Sequence, residues 1–376
     1  MEQQFFQKFK NLISIEQCNF EDFNNSGKVK FTSPEELYYT ATHQPFSFDD
    51  IFKPVFAGTG IKNSKIIGYR SISTNGGSFV MVDNHGNLFA TTSTNDDDKI
   101  INYEYCIECD KNTPNALSNK QQNAKTKPKI LMATCNNYMF SYINSNQDLY
   151  INNWKLEKRV SKNVQHVSLG KRHMCFISDS DLYLYGENKY GQLGIYELKA
   201  TKPYKLTSNV TNVVCGDHHT LYLNSNDELF VSGKNNKGQL GTGNFEMRSK
   251  FVKIATNASK IYAKYNMSAV ISKSDILFVC GDNSDGQLSF DDDKYPKINV
   301  LTVTYENVKF VTFGKESMSI ISNDDKLYHV GYFDGYVYID AIKIFENIKD
   351  VAIDTDIKFG IGWDQESLDE FTKLCN

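Results

Sequence analysis

The sequence predicts an all-β fold, a seven-bladed β-propeller closed by a blade that the N- and C-termini share, with short terminal helices. Two observations lead to this prediction. A pattern of short strands and turns recurs at nearly constant intervals through the middle of the 376-residue chain. The two ends of the chain also carry complementary halves of the same pattern. Repeats of this size are typical of rings of small antiparallel sheets, in which each repeat packs against its neighbours.

The repeat is clearest where a Leu-aromatic strand runs into a glycine-rich turn. This half of the repeat reads LYLYGENKYGQLG from Leu182 to Gly194, LFVSGKNNKGQLG from Leu229 to Gly241 and LFVCGDNSDGQLS from Leu277 to Ser289. Gly191 and Gly238 are 47 residues apart, and Gly238 and Gly286 are 48 residues apart. Three matches at so regular a period indicate one structural unit that is repeated.

Each of these segments follows a second half of the repeat. The upstream halves read VSLGKRHMCFIS, VVCGDHHTLYLN and IYAKYNMSAVIS. Each combines an apolar strand, a turn and another apolar strand, and the turn is Gly-x-x-His in the first two. Short alternating runs bounded by turn residues are typical of antiparallel hairpins. The pattern therefore predicts that each repeat folds as a blade of consecutive antiparallel strands.

The glycines and histidines of the repeat are predicted to be structural. Glycine adopts a positive φ without steric cost and leaves room for a neighbouring strand. The histidine of the turn is predicted to bind a neighbouring strand through backbone hydrogen bonds, whereas His218, beside the repeat position, is predicted to point outward. The predicted structural set is Gly170, His173, Gly186, Gly191, Gly216, His219, Gly233, Gly238, Gly281 and Gly286.

Weaker copies of the repeat bring the count to seven. They run from Ile72 to Thr92, from Met132 to Asn152 and from Val311 to Gly331. The seventh is split, because Val351 to Asp364 supplies a first half and Glu36 to Ala41 supplies a second half. A blade built from both ends would close the ring with ladder hydrogen bonds and remove the open sheet edges.

The segments outside the repeats define the remaining organisation. Residues 1–30 are predicted as an N-terminal helical extension, residues 31–364 as the propeller and residues 365–376 as a C-terminal helix. Within the propeller, residues 93–129 are polar and rich in turn-forming residues, which predicts a mobile insertion. This insertion contains Cys106 and Cys109, whose spacing fits half a zinc site, a redox pair or ordinary thiols.

Composition narrows the range of functions. The formal net charge is −4 and no basic stripe is present, so nucleic-acid binding is disfavoured. No apolar run approaches the ~20 residues that span a bilayer, and we expect no membrane association.

The eight cysteines are scattered, which is typical of reduced thiols in a cytoplasmic or nuclear protein. The sequence has no phosphate-binding loop, nucleophile elbow or zinc helix, so no catalytic residue, metal site or cofactor is predicted.

The Gly-x-x-His turn, the Leu-aromatic strand and the Gly-Gln-Leu-Gly ending together resemble the repeat of the regulator of chromosome condensation family. The resemblance covers roughly residues 30–364, and it is specific in the three central blades and weaker in the others. It implies a seven-bladed propeller, in agreement with the count above. It also implies several roles, among them guanine-nucleotide exchange, substrate recruitment for ubiquitin ligation and the assembly of ciliary or cytoskeletal structures.

The leading hypothesis is a protein-interaction module, a scaffold or adaptor that is monomeric on its own. By repeat symmetry the turns between Gly and His fall on one rim, and their mixed charge suits recognition of a protein partner. The candidate partner-binding residues are Lys171, Arg172, Asp217, His218, Lys315 and Glu316, with Tyr265 and Asn266 at the equivalent turn.

The alternative is a guanine-nucleotide exchange factor for a Ran-like small GTPase, a role that the resemblance implies. In the family's founding member, acidic and histidine side chains in these same turns act in exchange, and Asp217 and His218 match them in kind. Such an aspartate can draw the lysine of the GTPase's phosphate loop away from the nucleotide. Several equivalent turns lack an acidic residue, however, and the sequence shows neither an inserted wedge hairpin nor a basic N-terminal tail.

Overall fold

The computed structural model describes an all-β chain from Tyr69 onward. The described residues are 69–75, 78–83, 86, 88–91, 103–105, 128–136, 138–153, 157–333, 336–345, 348–352 and 360–363. None of these residues is helical. The predicted helices in 1–30 and 365–376, the half-blade from Glu36 to Ala41, and Cys106 and Cys109 lie outside the described residues. No helix long and apolar enough to cross a membrane occurs in the described part of the chain.

Six antiparallel sheets of four strands follow one another along the chain, and we number them as blades 1 to 6. Blade 1 contains β1 (Tyr69–Asn75), β2 (Ser78–Asp83), β3 (Leu88–Thr91) and β4 (Tyr103–Tyr105). Blade 2 contains β5 (Ile130–Cys135), β6 (Phe140–Asn144), β7 (Leu149–Asn152) and β8 (Glu157–Ser161). Blade 3 contains β9 (Val164–Leu169), β10 (His173–Ser178), β11 (Asp181–Glu187) and β12 (Lys199–Thr207).

The remaining blades have the same arrangement. Blade 4 contains β13 (Val210–Cys215), β14 (His219–Asn224), β15 (Leu229–Gly233) and β16 (Arg248–Ala255). Blade 5 contains β17 (Ala258–Lys264), β18 (Met267–Ser272), β19 (Leu277–Asp282) and β20 (Lys297–Tyr305). Blade 6 contains β21 (Val308–Phe313), β22 (Ser317–Ser322), β23 (Leu327–Phe333) and β24 (Tyr336–Phe345). A seventh sheet has two strands, β25 (Ile348–Ala352) and β26 (Gly360–Trp363).

The first strands of the sheets contact one another in turn. Strand β5 lies between β1 and β9, β13 lies between β9 and β17, and β21 lies between β17 and β25. Strand β25 also contacts β1, so these seven strands form a closed cycle. The all-β propeller predicted from the repeats is therefore confirmed. A seventh blade shared by both ends of the chain stays a prediction, because its other half falls on Glu36 to Ala41.

The hydrophobic core is divided among the interfaces between blades. Leu184 of blade 3 packs in one cluster with Val213 of blade 4, and Leu223 of blade 4 packs in another with Ile261 of blade 5. In blades 2 to 6 the second strand is the most enclosed, and every residue of β10, β18 and β22 is buried. This follows from its position, since a neighbouring strand covers each edge and a neighbouring blade covers each face. Each blade is therefore held mainly by its two neighbours.

The segment predicted as an insertion, residues 93–129, contains a short strand. Tyr103–Tyr105 forms the outer strand β4 of blade 1, and Tyr105 pairs with Leu88 of β3. This strand completes the four-stranded arrangement of blade 1, which the sequence repeat alone did not reveal.

Candidate binding rim at the turns between first and second strands

The turns that join the first and second strands of blades 3, 4 and 5 lie side by side. The N–H of Lys171 donates to the carbonyl of Asp217 at 3.0 Å, and the N–H of Asp217 donates to the carbonyl of Tyr265 at 2.8 Å. In blade 2 the side-chain amide of Asn136 donates to the carbonyl of Gly170 at 2.7 Å. We term this series of turns, with the turn of blade 6 at residues 314–316, the turn rim.

The turn of blade 6 presents Lys315 and Glu316, whose charged groups pair at 3.0 Å. Asp285, in the connection from β19 to β20 of blade 5, lies beside this turn. Burial raises the pKa of the Asp285 carboxyl, and the negative charge of Glu316 raises it further. The predicted partner-binding residues thus all lie in turns of this one type, and their role in binding stays a prediction.

Each Gly-x-x-His turn is closed by contact between the glycine and the imidazole. A β-carbon on Gly170 would lie 2.0 Å from Cε1 of His173, and one on Gly216 would lie 2.0 Å from Cε1 of His219. The two glycine N–H groups also donate to the carbonyls of these histidines, at 2.9 and 3.0 Å. Only glycine fits at these positions, because the ring occupies the space that any side chain would need.

The repeat histidines bind hydroxyl groups of the next blade. Nε2 of His173 lies 3.0 Å from Oγ1 of Thr220, and Nε2 of His219 lies 2.9 Å from Oγ of Ser268. Thr220 donates its own proton to the carbonyl of Gln192 at 2.7 Å, so it accepts from His173, which carries its proton on Nε2. The backbone partner predicted for His173 is therefore corrected to a side-chain hydroxyl, because β14 presents Thr220 toward blade 3.

Burial keeps the imidazoles of His219 and His166 neutral. It lowers the pKa of His219 to about 3. Burial also lowers the pKa of His166, whose Nε2 donates to the carbonyl of Val213 in the next blade at 2.9 Å. His166 therefore makes the kind of contact with a neighbouring strand's backbone that was predicted for the repeat histidines. Neutral rings suit this role, since a charged ring would have to be taken out of water.

His173, Cys175 and Cys215 form the group of possible metal ligands found among the described residues. All three are buried, and one ligand atom of each lies within 4.8 Å of the others. Burial raises the pKa of the Cys175 thiol, which favours its protonated form. The Cys215 thiol donates to the carbonyl of Ser168 at 3.5 Å, and Nε2 of His173 donates to Thr220. A metal bound here would have to replace hydrogen bonds that join blades 3 and 4.

Two glycines of the third strands allow the turn rim to pack closely. Gly186 and Gly233 have φ values of 109° and 115°, which favour glycine. A β-carbon on either would lie 2.5 Å from a carbonyl oxygen of the adjacent rim turn. Gly191 and Gly238 have no room for a side chain for a different reason. A β-carbon on either would lie 2.4 Å from an atom of the fourth strand of the next blade.

Sequence reasoning missed a buried asparagine that organises the connection between the third and fourth strands. Asn188, Asn235 and Asn283 occupy the same repeat position and are buried. Each Oδ1 accepts the N–H of the leucine five residues later, at 2.8 to 2.9 Å. Each Nδ2 donates to carbonyls of the same connection. The signal was present in the sequence, because each asparagine stands three residues before the glycine of Gly-Gln-Leu.

Tyr190 of blade 3 and His218 of blade 4 form an aromatic contact at the turn rim. Their ring centroids are 4.8 Å apart. The ammonium groups of Lys189 and Lys234 lie 5.6 and 5.3 Å from the centroid of the Tyr190 ring. Burial, followed by the charge of Lys234, lowers the pKa of His218 to about 4, so this imidazole is neutral at neutral pH. His218 is half-buried against Tyr190 rather than pointing freely outward as predicted.

Asp217 is a half-buried carboxylate on the turn rim. Burial raises the pKa of its carboxyl, while the charges of Lys171, Lys234 and Lys264 act in the opposite direction. Within the part of the chain that the structure describes, no hydrogen-bond or ion-pair partner of this carboxylate is found. The other acidic group nearby, Glu187, is bound by Arg172 at 3.1 Å. Asp217 is thus available to a basic group of a partner.

Comparison with known proteins identifies the repeat. Two sequence models of the regulator of chromosome condensation repeat match residues 179–223 and 210–239. The X-linked retinitis pigmentosa GTPase regulator of Homo sapiens is 34% identical over 108 residues, which are 26% of this chain and 10% of that protein. The ultraviolet-B receptor of Arabidopsis thaliana is 36% identical over 106 residues, which are 27% of this chain and 24% of that protein. The matches span a quarter or less of these relatives.

Solved structures share the fold. Prp20p from Saccharomyces cerevisiae, described with its binding to Gsp1p and histones, has a TM-score of 0.63 and 15% identity, with 81% of this chain and 85% of that chain covered. Human WBSCR16 has a TM-score of 0.60 and 15% identity, with 76% of this chain and 84% of that chain covered. At this level of identity the similarity shows the architecture alone.

Proposed function

Because this chain is a β-propeller of the regulator of chromosome condensation repeat type, we propose that it is a protein-interaction module that binds a partner through the turn rim. The observation that carries the proposal is the backbone connection from Lys171 to Asp217 to Tyr265. It fixes charged and aromatic side chains of three blades in one rigid surface. A preorganised surface loses little conformational entropy when a partner binds, which favours affinity.

The residues of the turn rim also suit recognition rather than bond-making chemistry. Arg172 is exposed and paired with Glu187, Lys315 is exposed, and Asp217 and His218 are half-buried. Such a mixture of charge and half-buried side chains gives specificity through electrostatic complementarity.

Affinity purification with charge-reversed variants tests the proposal. Lys171→Glu, Arg172→Glu and Lys315→Glu are combined, and the control combines Lys158→Glu with Lys162→Glu, both exposed and outside the turn rim. We expect proteins that the wild type and the control capture to be lost by the rim variant, while circular dichroism shows all three folded. Equal capture by the rim variant would exclude the turn rim as the binding surface.

Guanine-nucleotide exchange on a Ran-like small GTPase is the second candidate function, and Asp217 is the observation that favours it. Its carboxylate is half-buried, held by a rigid turn, and without a partner among the described residues. A carboxylate in this state can compete for a lysine that binds nucleotide phosphates. The similarity to a protein named as a GTPase regulator gives further support.

Release of fluorescent GDP from a purified Ran-type GTPase tests this second function. We expect an acceleration of about tenfold or more, equivalent to ~1.4 kcal/mol of barrier, at micromolar propeller concentration. Asp217→Ala should abolish the acceleration, and Asp181→Ala, an acidic residue of β11 outside the turn rim, should retain it. If the wild type leaves the release rate unchanged, exchange on this class of GTPase is excluded and the interaction module stands.

A further inference from the structure

Three lysines of blades 3 and 4 lack a carboxylate partner. In the described part of the chain, no acidic group lies within ion-pair distance of Lys171, Lys189 or Lys234. Seven other lysines among the described residues form ion pairs. Those seven are Lys205, Lys237, Lys253, Lys273, Lys309, Lys315 and Lys326.

The three lysines are also close together. The N–H of Lys234 donates to the carbonyl of His218 at 2.9 Å, and the N–H of Lys171 donates to the carbonyl of Asp217 at 3.0 Å. Lys189 and Lys234 both lie over the ring of Tyr190. The carboxylates of Asp217 and Glu187 face this group, and Glu187 is bound by Arg172. Around Tyr190 and His218 the cations therefore outnumber the acidic groups, although the whole chain has a net negative charge.

Exposed apolar side chains lie next to these lysines. In the connection that follows β11, Tyr196 is 85% and Leu198 is 77% exposed. In the connection that follows β15, Phe245 is 46% and Met247 is 56% exposed. We term these four residues the outer apolar patch. Large apolar side chains that remain in water mark a site of interaction when they occur as a group.

Hydrogen bonds place the outer apolar patch beside the lysines in both blades. The carbonyl of Leu198 accepts the N–H of Asn188, the residue before Lys189, at 2.8 Å. The carbonyl of Glu246, between Phe245 and Met247, accepts the amide of Asn235, the residue after Lys234, at 3.0 Å. In each of the two blades a lysine is therefore next in sequence to the buried asparagine that holds the apolar loop, after it in blade 3 and before it in blade 4.

Further cations border the outer apolar patch. The ammonium of Lys250 lies 4.6 Å from the centroid of the Tyr196 ring, and that of Lys297 lies 5.8 Å from the centroid of the Phe245 ring. Acidic groups in these loops are Glu197 and Glu246, and Glu246 pairs with Arg248 at 3.2 Å. An apolar surface with cationic borders fits a ligand that combines apolar and acidic side chains.

We propose that blades 3 and 4 bind an acidic segment of a partner protein that also carries large apolar side chains. Carboxylates of the segment pair with Lys171, Lys189 and Lys234, and its apolar side chains cover the outer apolar patch. This inference rests on the proposed interaction function and names the chemistry of the partner. Charge complementarity supplies the specificity, and burial of apolar surface supplies much of the affinity.

Fluorescence anisotropy with synthetic peptides tests the inference. The probe is a short fluorescein-labelled peptide in which Glu alternates with Phe and Leu, and it is compared with two matched peptides. One has Lys in place of Glu, and the other has Ser in place of Phe and Leu. We expect the Glu-Phe-Leu peptide to bind, the Lys peptide not to bind, and the Ser peptide to bind about tenfold more weakly.

Two variants locate the binding. Lys189→Glu combined with Lys234→Glu should weaken binding of the Glu-Phe-Leu peptide by about tenfold or more, whereas Lys158→Glu combined with Lys162→Glu should leave it unchanged. A second surface variant, Leu198→Ser with Met247→Ser, should weaken it as well. Because all six side chains are exposed or half-buried, thermal melting is expected to show the variants folded. Equal binding of the Glu and Lys peptides would overturn the inference. So would an effect of the Lys158/Lys162 control variant as large as that of the Lys189/Lys234 variant.

The outcomes for the inference and for the proposed function are distinguishable. If the protein captures partners through the turn rim and the Glu-Phe-Leu peptide neither binds nor competes, the proposed acidic and apolar character of the partner segment is wrong. The interaction function then stands. If the peptide binds at Lys189 and Lys234 and no protein is captured through the turn rim, the proposed function fails while the site remains.

Discussion

The imidazole of His219 occupies the space in which a β-carbon on Gly216 would lie, only 2.0 Å from its Cε1 atom. The same ring reaches Ser268 of the next blade through Nε2. One glycine therefore allows one histidine to fold back into its own turn and to join two blades. Stability and the position of the turn rim depend on the same pair of residues.

Substitution of Gly216 by Ala should destabilise the protein by roughly 1–3 kcal/mol or more, because the new methyl group overlaps the His219 ring. Removing the ring relieves the overlap. The double variant Gly216→Ala/His219→Ala should therefore be less destabilised than the sum of the two single variants. Urea denaturation of all four proteins measures this coupling, and strict additivity would contradict the contact.

Replacement of Thr220 by Val should cost roughly 1–3 kcal/mol of unfolding free energy. The change keeps the shape of the side chain but leaves the Nε2–H of His173 without its acceptor, and the carbonyl of Gln192 keeps only the longer hydrogen bond from Ser232 Oγ at 3.4 Å. Thr211→Val is the matched control, since Thr211 is exposed, and its effect should stay within about 0.5 kcal/mol. Equal midpoints for the two variants in chemical denaturation would show that the inter-blade hydrogen bond contributes nothing.

Asn235→Ala should destabilise the protein by roughly 1–3 kcal/mol, because its side chain satisfies buried backbone groups of the β15–β16 connection. The exposed neighbour provides the control, and Asn236→Ala should change stability by less than about 0.5 kcal/mol. Since the same connection holds Phe245 and Met247, the Asn235 variant should also bind the Glu-Phe-Leu peptide more weakly. A variant with normal stability and normal peptide binding would contradict the structural role of this asparagine.

Stability should fall as the pH is lowered below neutral. Burial lowers the pKa of His219 to about 3 and that of His329 to about 4, whereas an unfolded histidine titrates near 6.5. Between those values the unfolded chain binds more protons than the folded chain, so protonation favours unfolding. Each group should contribute a loss of about 2 kcal/mol between pH 7 and pH 5.

Urea denaturation at several pH values measures this loss. His329→Gln removes one of the titrating groups, so its stability should depend less steeply on pH than that of the wild type between about pH 7 and pH 5. An unchanged slope would mean that the pKa of His329 is the same in the folded and unfolded protein, which would contradict its lowering by burial.

The repeat was readable from the sequence because its glycines and histidines serve local geometry. Gly170 and His173 are three residues apart, and the reason for both lies within one turn. The contact between Tyr190 and His218 was not predictable in this way, since it joins two blades and depends on how one turn packs over the next. The hydrogen bond from His173 to Thr220 was not predictable either, because it depends on which residue of β14 faces blade 3. The asparagines were overlooked because Asn in a loop is ordinarily a turn residue.

In blade 5, Met267 takes the place of the repeat histidine and is fully buried in an apolar cluster with Phe313 and Met318 of blade 6. Thioether and aromatic contacts lack the directionality of a hydrogen bond and allow small rotations. At this position the contact between blades 5 and 6 is therefore apolar, whereas hydrogen bonds from Ser289 Oγ to the carbonyl of Ile339 and from the N–H of Ala341 to Tyr305 Oη join the same two blades elsewhere. A substitution at Met267 would therefore disturb packing at this junction without removing the hydrogen bonds that hold the two blades together.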